Sequence, residues 1–220
     1  VRLEGTQFGF DFNPAVDRIR VVSNSGQNLR LHPDTGAVVD GNATVDGLQT
    51  DGALAYAVGD ANFGRLASTV GAAYSYNKAD PKITTNFALD AATGALVTQG
   101  SREGVMPAVS PNTGQLFTVG TTNMVFSTAA FDIQALSDVA FAALNSEGAA
   151  ASRWVTIDLK TGAAKFLGTV GGGERAVAGR IEVDGAADLR RIQHRGRIAD
   201  DAGKRRRHRR PPVEQPEILL

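Results

Sequence analysis

One strand–turn–strand phrase recurs three times along this chain, and that repetition restricts the fold more than any single motif. It runs from Leu29 through Asp34-Thr35-Gly36 to Val39, from Phe87 through Ala92-Thr93-Gly94 to Val97, and from Val155 through Lys160-Thr161-Gly162 to Ala164. Each copy opens on alternating apolar residues, the pattern of a half-buried strand. Each then turns on a glycine, the residue that takes positive φ without steric cost. The three glycines stand 58 and 68 residues apart, so the loops vary while the phrase persists.

A second phrase places a proline corner after an apolar stretch. Phe8-Gly-Phe-Asp-Phe-Asn13-Pro14 leads into Arg18-Ile-Arg-Val-Val22, and Val105-Met-Pro-Ala-Val-Ser110-Pro111 leads into Gln115-Leu-Phe-Thr-Val119. Phe131-Asp-Ile133 followed by Val139 to Leu144 is a looser version. Together these predict an all-β fold of about four blade-like units, over 8–40, 53–100, 104–133 and 137–170. Ala176 to Val183 reads as the opening strand of a fifth. Short strands at this spacing fit an incomplete β-propeller or, failing that, a sandwich. Alternating helices are missing, and Ser137 and Asp138 interrupt any helical stripe in Ala129 to Leu144.

The stretch Phe8 to Ser23, continued by Gly26 to Gly36, resembles a bacterial family known only as domain of unknown function four-three-nine-four. Gly71-Ala-Ala-Tyr-Ser-Tyr-Asn77, Ser110 to Leu116 and Gly168 to Gly173 resemble it too, so the likeness runs from about Thr6 to Val183. The resemblance implies a propeller-like domain, often exported, with no established activity and no catalytic residues to carry over. Two departures stand out. A blade usually precedes the Phe8 strand in that family, and the strand pattern stops after Val183.

Composition changes at the same place. Residues 1–183 hold 13 basic and 17 acidic residues, whereas 184–220 hold 10 basic and 6 acidic. The latter segment contains Lys204 to Arg210 followed by Pro211-Pro212 and reads as a disordered basic tail, out-of-frame translation being one source of such a composition. A nucleic-acid arm is the other reading of a basic run, but a propeller of this type gives it little reason. A propeller left open by a missing blade and closing strand exposes strand edges, which predicts self-association. No run of about 18 apolar residues is present to span a membrane, and Val1 to Phe10 lack the pattern of a signal peptide. With no cysteine, disulfides, thiol catalysis and thiolate metal sites are excluded.

Candidate chemistry is sparse. His32 reads as a turn residue, and the other histidines, His194 and His208, lie in the tail. No G-x-S-x-G elbow is found, and Gly171-Gly172-Gly173 lacks the Lys-Ser/Thr of a phosphate loop. Asp11, Asn13 and Asp17 offer oxygen ligands at a calcium-like opening spacing, but Val16 stands where the loop needs glycine and Val22 where it needs glutamate. Asx-turns are the other reading, as they are for Asp40-Gly41, Asp46-Gly47 and Asp51-Gly52. Arg18 and Arg20 share one strand face by period two, with Arg30 on a neighbouring strand. These arginines either line a polar channel with Gln27 and Asn28 and bind an anion, or pair with Asp11, Asp17 and Asp34 to fix the blade. Tyr74, Tyr76 and Trp154 read as packing residues rather than a carbohydrate platform.

Two functional classes follow. The first is a non-enzymatic binding or scaffold module of an exported protein, extracellular, periplasmic or on the cell surface, with no cofactor and an unidentified partner. The second is a hydrolase or lyase with a carboxylate or calcium site in the central channel, by analogy of fold. A channel lined by apolar and arginine side chains favours the first, and three or more carboxylates at its mouth favour the second.

Overall fold

The computed structural model describes residues 1–171, all within one unit of the chain. Twelve strands form three sheets, and the only helical element among these residues is a 3₁₀ turn at Pro111–Thr113. Sheet 1 is the meander of β1 (Phe8–Asn13), β2 (Arg18–Ser23) and β3 (Asn28–Leu31). Sheet 2 contains β4 (Ala55–Tyr56), β5 (Thr69–Tyr74), β6 (Asn86–Asp90), β7 (Ala95–Gln99) and β8 (Gln115–Thr121), in the order β4-β8-β7-β6-β5. Sheet 3 is the meander of β9 (Thr128–Ile133), β10 (Ala140–Asn145), β11 (Ser152–Ile157) and β12 (Ala164–Val170). All neighbouring strands are antiparallel except β4, which lies parallel to β8.

The repeated Thr-Gly phrase sits at equivalent turns, with Gly36, Gly94 and Gly162 at φ of 67°, 65° and 78°. Asp90 and Asp158 begin two of them, each accepting from the amide two residues on, at Ala92 and Lys160. In the first copy His32 occupies that place, and Gly36 N closes onto the His32 carbonyl just as Gly162 N closes onto that of Asp158.

The unit expected over 104–133 is not a sheet of its own. Val105 to Val109 forms no strand, β8 completes sheet 2 and β9 opens sheet 3. Ser110-Pro111 therefore does not follow a strand as Asn13-Pro14 does. Its serine caps the 3₁₀ turn, accepting from Asn112 N, and Gly114 in the left-handed region ends it. The described residues thus hold three sheets where about four units were expected. The strand expected at Ala176 to Val183 and the basic tail over 184–220 lie outside the described residues.

Sheet 2 lies between the other two. Every residue of β5, β6 and β7 is buried, which requires apolar or hydrogen-bonded side chains on both faces. Toward sheet 3, Val70, Leu89 and Leu96 pack with Ile133, Leu144 and Val155. Toward sheet 1, Ala72, Ala88 and Val97 pack with Val22, Leu54 and Tyr56. The first strand of each meander, β1, β5 and β9, lies nearest its counterparts.

Candidate functional site

Sheet 1 turns its polar residues inward. In β2 the alternation of Arg18, Ile19, Arg20, Val21 and Val22 puts both arginines and Val22 on the face toward β5. Pairing places Asp11 and Arg30 on either side of Arg20, and Asn13 beside Arg18, so one row of charged side chains crosses all three strands.

Arg20 is buried, at 2% exposure, and spends its donors on four groups. Nη1 donates to Asn28 Oδ1 at 2.8 Å and to Asp51 Oδ2 at 2.6 Å. Nη2 donates to Asn112 Oδ1 at 2.6 Å, and Nε to the Tyr74 hydroxyl at 3.3 Å. Arg30 forms a two-pronged pair with the same carboxylate, through Nε at 2.8 Å and Nη2 at 2.8 Å. Hydrogen bonding to Asp51 raises the pKa of Arg30 above its ordinary value. The expected partners were Asp11, Asp17 and Asp34, but the carboxylate that pairs with both arginines is Asp51. Asp11 instead accepts from Tyr74 N and Phe12 N, Asp34 stands 3.9 Å from His32, and Arg18 donates to the Asp17 backbone carbonyl.

Arg18, Arg20 and Arg30 all line a cavity of about 270 Å³ between sheets 1 and 2, with Tyr74, Asn13 and Asn112. Asn112 is aimed there by the capped Ser110–Gly114 turn. Among the described residues, Nη1 of Arg30 has no hydrogen-bond partner, and Arg18 has none beyond that carbonyl. The site therefore presents three guanidinium groups against one paired carboxylate, with N–H donors left over.

Asn28 belongs to the framework rather than the lining. Its oxygen accepts from Arg20 and Gln99, and its amide donates to the Gly52 and Pro111 carbonyls. Gln27 lies elsewhere, holding the N-terminal segment through Arg2 O and Glu4 N. Tyr74, read as packing, Asp51, read as a turn residue, and Asn112, which the sequence did not single out, complete the site.

Within the calcium-like trio, Asp11 is engaged by Tyr74 N and Phe12 N. Asn13 Oδ1 accepts from Ala15 N and Val16 N in an Asx-turn, and Asp17 is exposed at the far end of the turn. Among the described residues no group of three or more His, Cys, Asp or Glu is placed to hold a metal. A second cavity, of about 230 Å³, lies where β1, β5 and β9 converge and is lined by Phe10, Asp11, Phe131 and Asp132. Burial pushes the Asp11 carboxyl above its ordinary value, and the nearby Asp132 charge adds to this against two backbone amides that lower it.

These features define an all-β domain of stacked antiparallel meanders with a basic cleft between its first two sheets. The chain belongs to the family described as Domain of unknown function (DUF4394), whose family model matches residues 1–179. No curated protein and no solved structure matches the sequence.

Proposed function

We propose that this chain is a binding module of propeller type, from an exported protein, that holds a small carboxylate- or phosphate-bearing ligand in the Arg18–Arg20–Arg30 cleft. The observation that carries the reading is the surplus of guanidinium donors facing that cavity. Arg20 is tied to four framework groups, so it fixes the floor, while Arg18 and Arg30 keep donors for an anion. The convergence of β1, β5 and β9 supports a radial arrangement of blades. The axial cavity, where an enzyme of this fold would place its carboxylates, is lined by Phe10 and Phe131 beside two aspartates, and this favours the binding reading.

Thermal unfolding with inorganic phosphate and with citrate tests it. An anion at a hundredfold its Kd stabilises by about 2.7 kcal/mol, or about 5–10 °C for a domain of this size. That shift is expected to vanish in the Arg18→Gln/Arg30→Gln double variant. An unchanged shift in the variant, or none with either anion, would remove the cleft as the site. A midpoint raised by calcium and lowered by chelator would move the reading to the carboxylates. Recovery of the protein solely from the cytoplasm of fractionated cells would overturn the export part.

A further inference from the structure

Among the described residues, sheets 1 and 3 are each covered by sheet 2 on one side only. The other side of sheet 1 is apolar, and that of sheet 3 carries an apolar row next to one in which Asp132, Thr156 and Lys165 flank Phe141. Sheet 1 turns Phe8, Phe10 and Phe12 of β1 and Ile19 and Val21 of β2 outward. Leu3 and Val38 shelter the end at Phe8, which leaves Phe10 45% and Phe12 57% exposed. Sheet 3 turns out Ala130, Ala143 and Trp154, which are paired in one row across β9, β10 and β11. Phe141 stacks on Trp154 there, ring centroids 5.5 Å apart.

We propose that these two faces bind each other, joining two copies of the chain head to tail. The interfaces inside the molecule supply the rule. Gly9-Phe10-Asp11-Phe12 in β1 and Ala130-Phe131-Asp132-Ile133 in β9 are equivalent, because each aspartate accepts from the amide that follows it, at 2.7 and 2.9 Å. Phe131 packs against Gly71 of β5, its Cβ 3.0 Å from where a glycine Cβ would stand, and Gly9 takes the backbone of Gly71-Ala72 in the same close manner. Each first strand thus offers a small residue to the sheet that follows and an apolar residue to the sheet before. Phe10 stands where Phe131 stands, with no described strand beneath it. Ala130 stands where Gly9 stands, with no described sheet upon it.

Phe10 of one copy on Ala130 of another follows the internal contact in direction, at the wider spacing that an alanine Cβ in place of glycine requires. A symmetric contact would set Phe10 against Phe10 and leave the small-residue row unused, so the match points to a heterologous interface. The complement of each face is present on this chain itself, which favours a second copy over a foreign partner.

Sedimentation of the full chain over a range of concentrations is the test, read together with the emission of Trp154, the sole tryptophan. Association is expected, with a blue shift of that emission at the same midpoint. Phe10→Glu and Ala130→Glu are each expected to weaken it at least about tenfold, yet an equimolar mixture should form a one-to-one dimer, because each variant keeps the face the other lacks. Far-UV circular dichroism confirms folding, and Phe12→Glu replaces Phe10→Glu if the latter unfolds. A monomer at every concentration overturns the proposal, as does association without the emission shift. Failure of the mixture to dimerise overturns it in favour of a symmetric contact. None of these outcomes depends on anion binding in the cleft.

Discussion

Asp51 carries more of the structure than its place in the chain announces. It lies in Thr50-Asp51-Gly52, the same dipeptide pattern as Asp40-Gly41, and Asp40 does hold a turn by accepting from Asn42 N and Gln49 N. Asp51 instead lies with its side chain 1% exposed between two arginines drawn from different strands. The arginine row was legible, because period-two alternation needs only local sequence. Its counter-ion was not, because a partner 31 residues from Arg20 is chosen by how the connection to β4 folds back across sheet 1. A carboxylate in this position offsets the desolvation of Arg20, and a neutral amide does not. Asp51→Asn is therefore expected to destabilise by about 3–5 kcal/mol, the usual cost of leaving a buried charge without its partner. Arg30→Gln should cost clearly less, since Arg30 is partly exposed and Arg20 continues to hold Asp51. Urea denaturation measures both, and equal losses would mean that Arg30, not Arg20, is the principal partner.

At the scale of strands, close approach decides which residues are allowed. A Cβ on Gly9 would stand 2.4 Å from Ala72 N and 2.5 Å from Gly71 C, both backbone atoms that cannot rotate away. Gly9 has an ordinary extended backbone, so the constraint is purely one of space. Gly9→Ala is expected to push β1 off β5 and cost about 1–3 kcal/mol, as overpacking does, and it should weaken anion binding because Arg20 reaches Tyr74 across the same gap. A variant with unchanged melting and unchanged binding would show that sheet 1 does not rest on β5 there. The strands were largely legible from the Thr-Gly phrase and its alternation, but their grouping into sheets was not. The Ser110-Pro111 corner resembles Asn13-Pro14 in sequence, yet it is a capped 3₁₀ turn within sheet 2. The change of sheet falls instead between β8 and β9, where the chain carries no turn signature that distinguishes a hairpin from a crossing.

For the molecule as a whole, the decisive feature is that sheet 2 has no solvated face along β5, β6 and β7. Leu89 and Val97, both fully buried, belong to opposite cores, one shared with sheet 3 and the other with sheet 1. Sheet 3 depends on sheet 2 for its apolar burial. Sheet 1 keeps a small apolar cluster of Phe8, Val21 and Leu29 on its other face, and depends on sheet 2 through Val22 and the hydrogen bonds of Arg20 to Tyr74 and of Gln99 to Asn28. This dependence predicts cooperative loss of all three sheets rather than stepwise peeling. Leu89→Ala, which touches only the core toward sheet 3, is expected to cost about 2–5 kcal/mol. Hydrogen exchange should show the amides of β2 in sheet 1 losing protection by the same free energy as those of β10 in sheet 3. If β2 kept its protection while β10 lost it, sheet 1 would be a separate unit, and the anion cleft would survive disruption of the far core. Equal loss means that the arginine row, although built on sheet 1, owes its geometry to packing two sheets away.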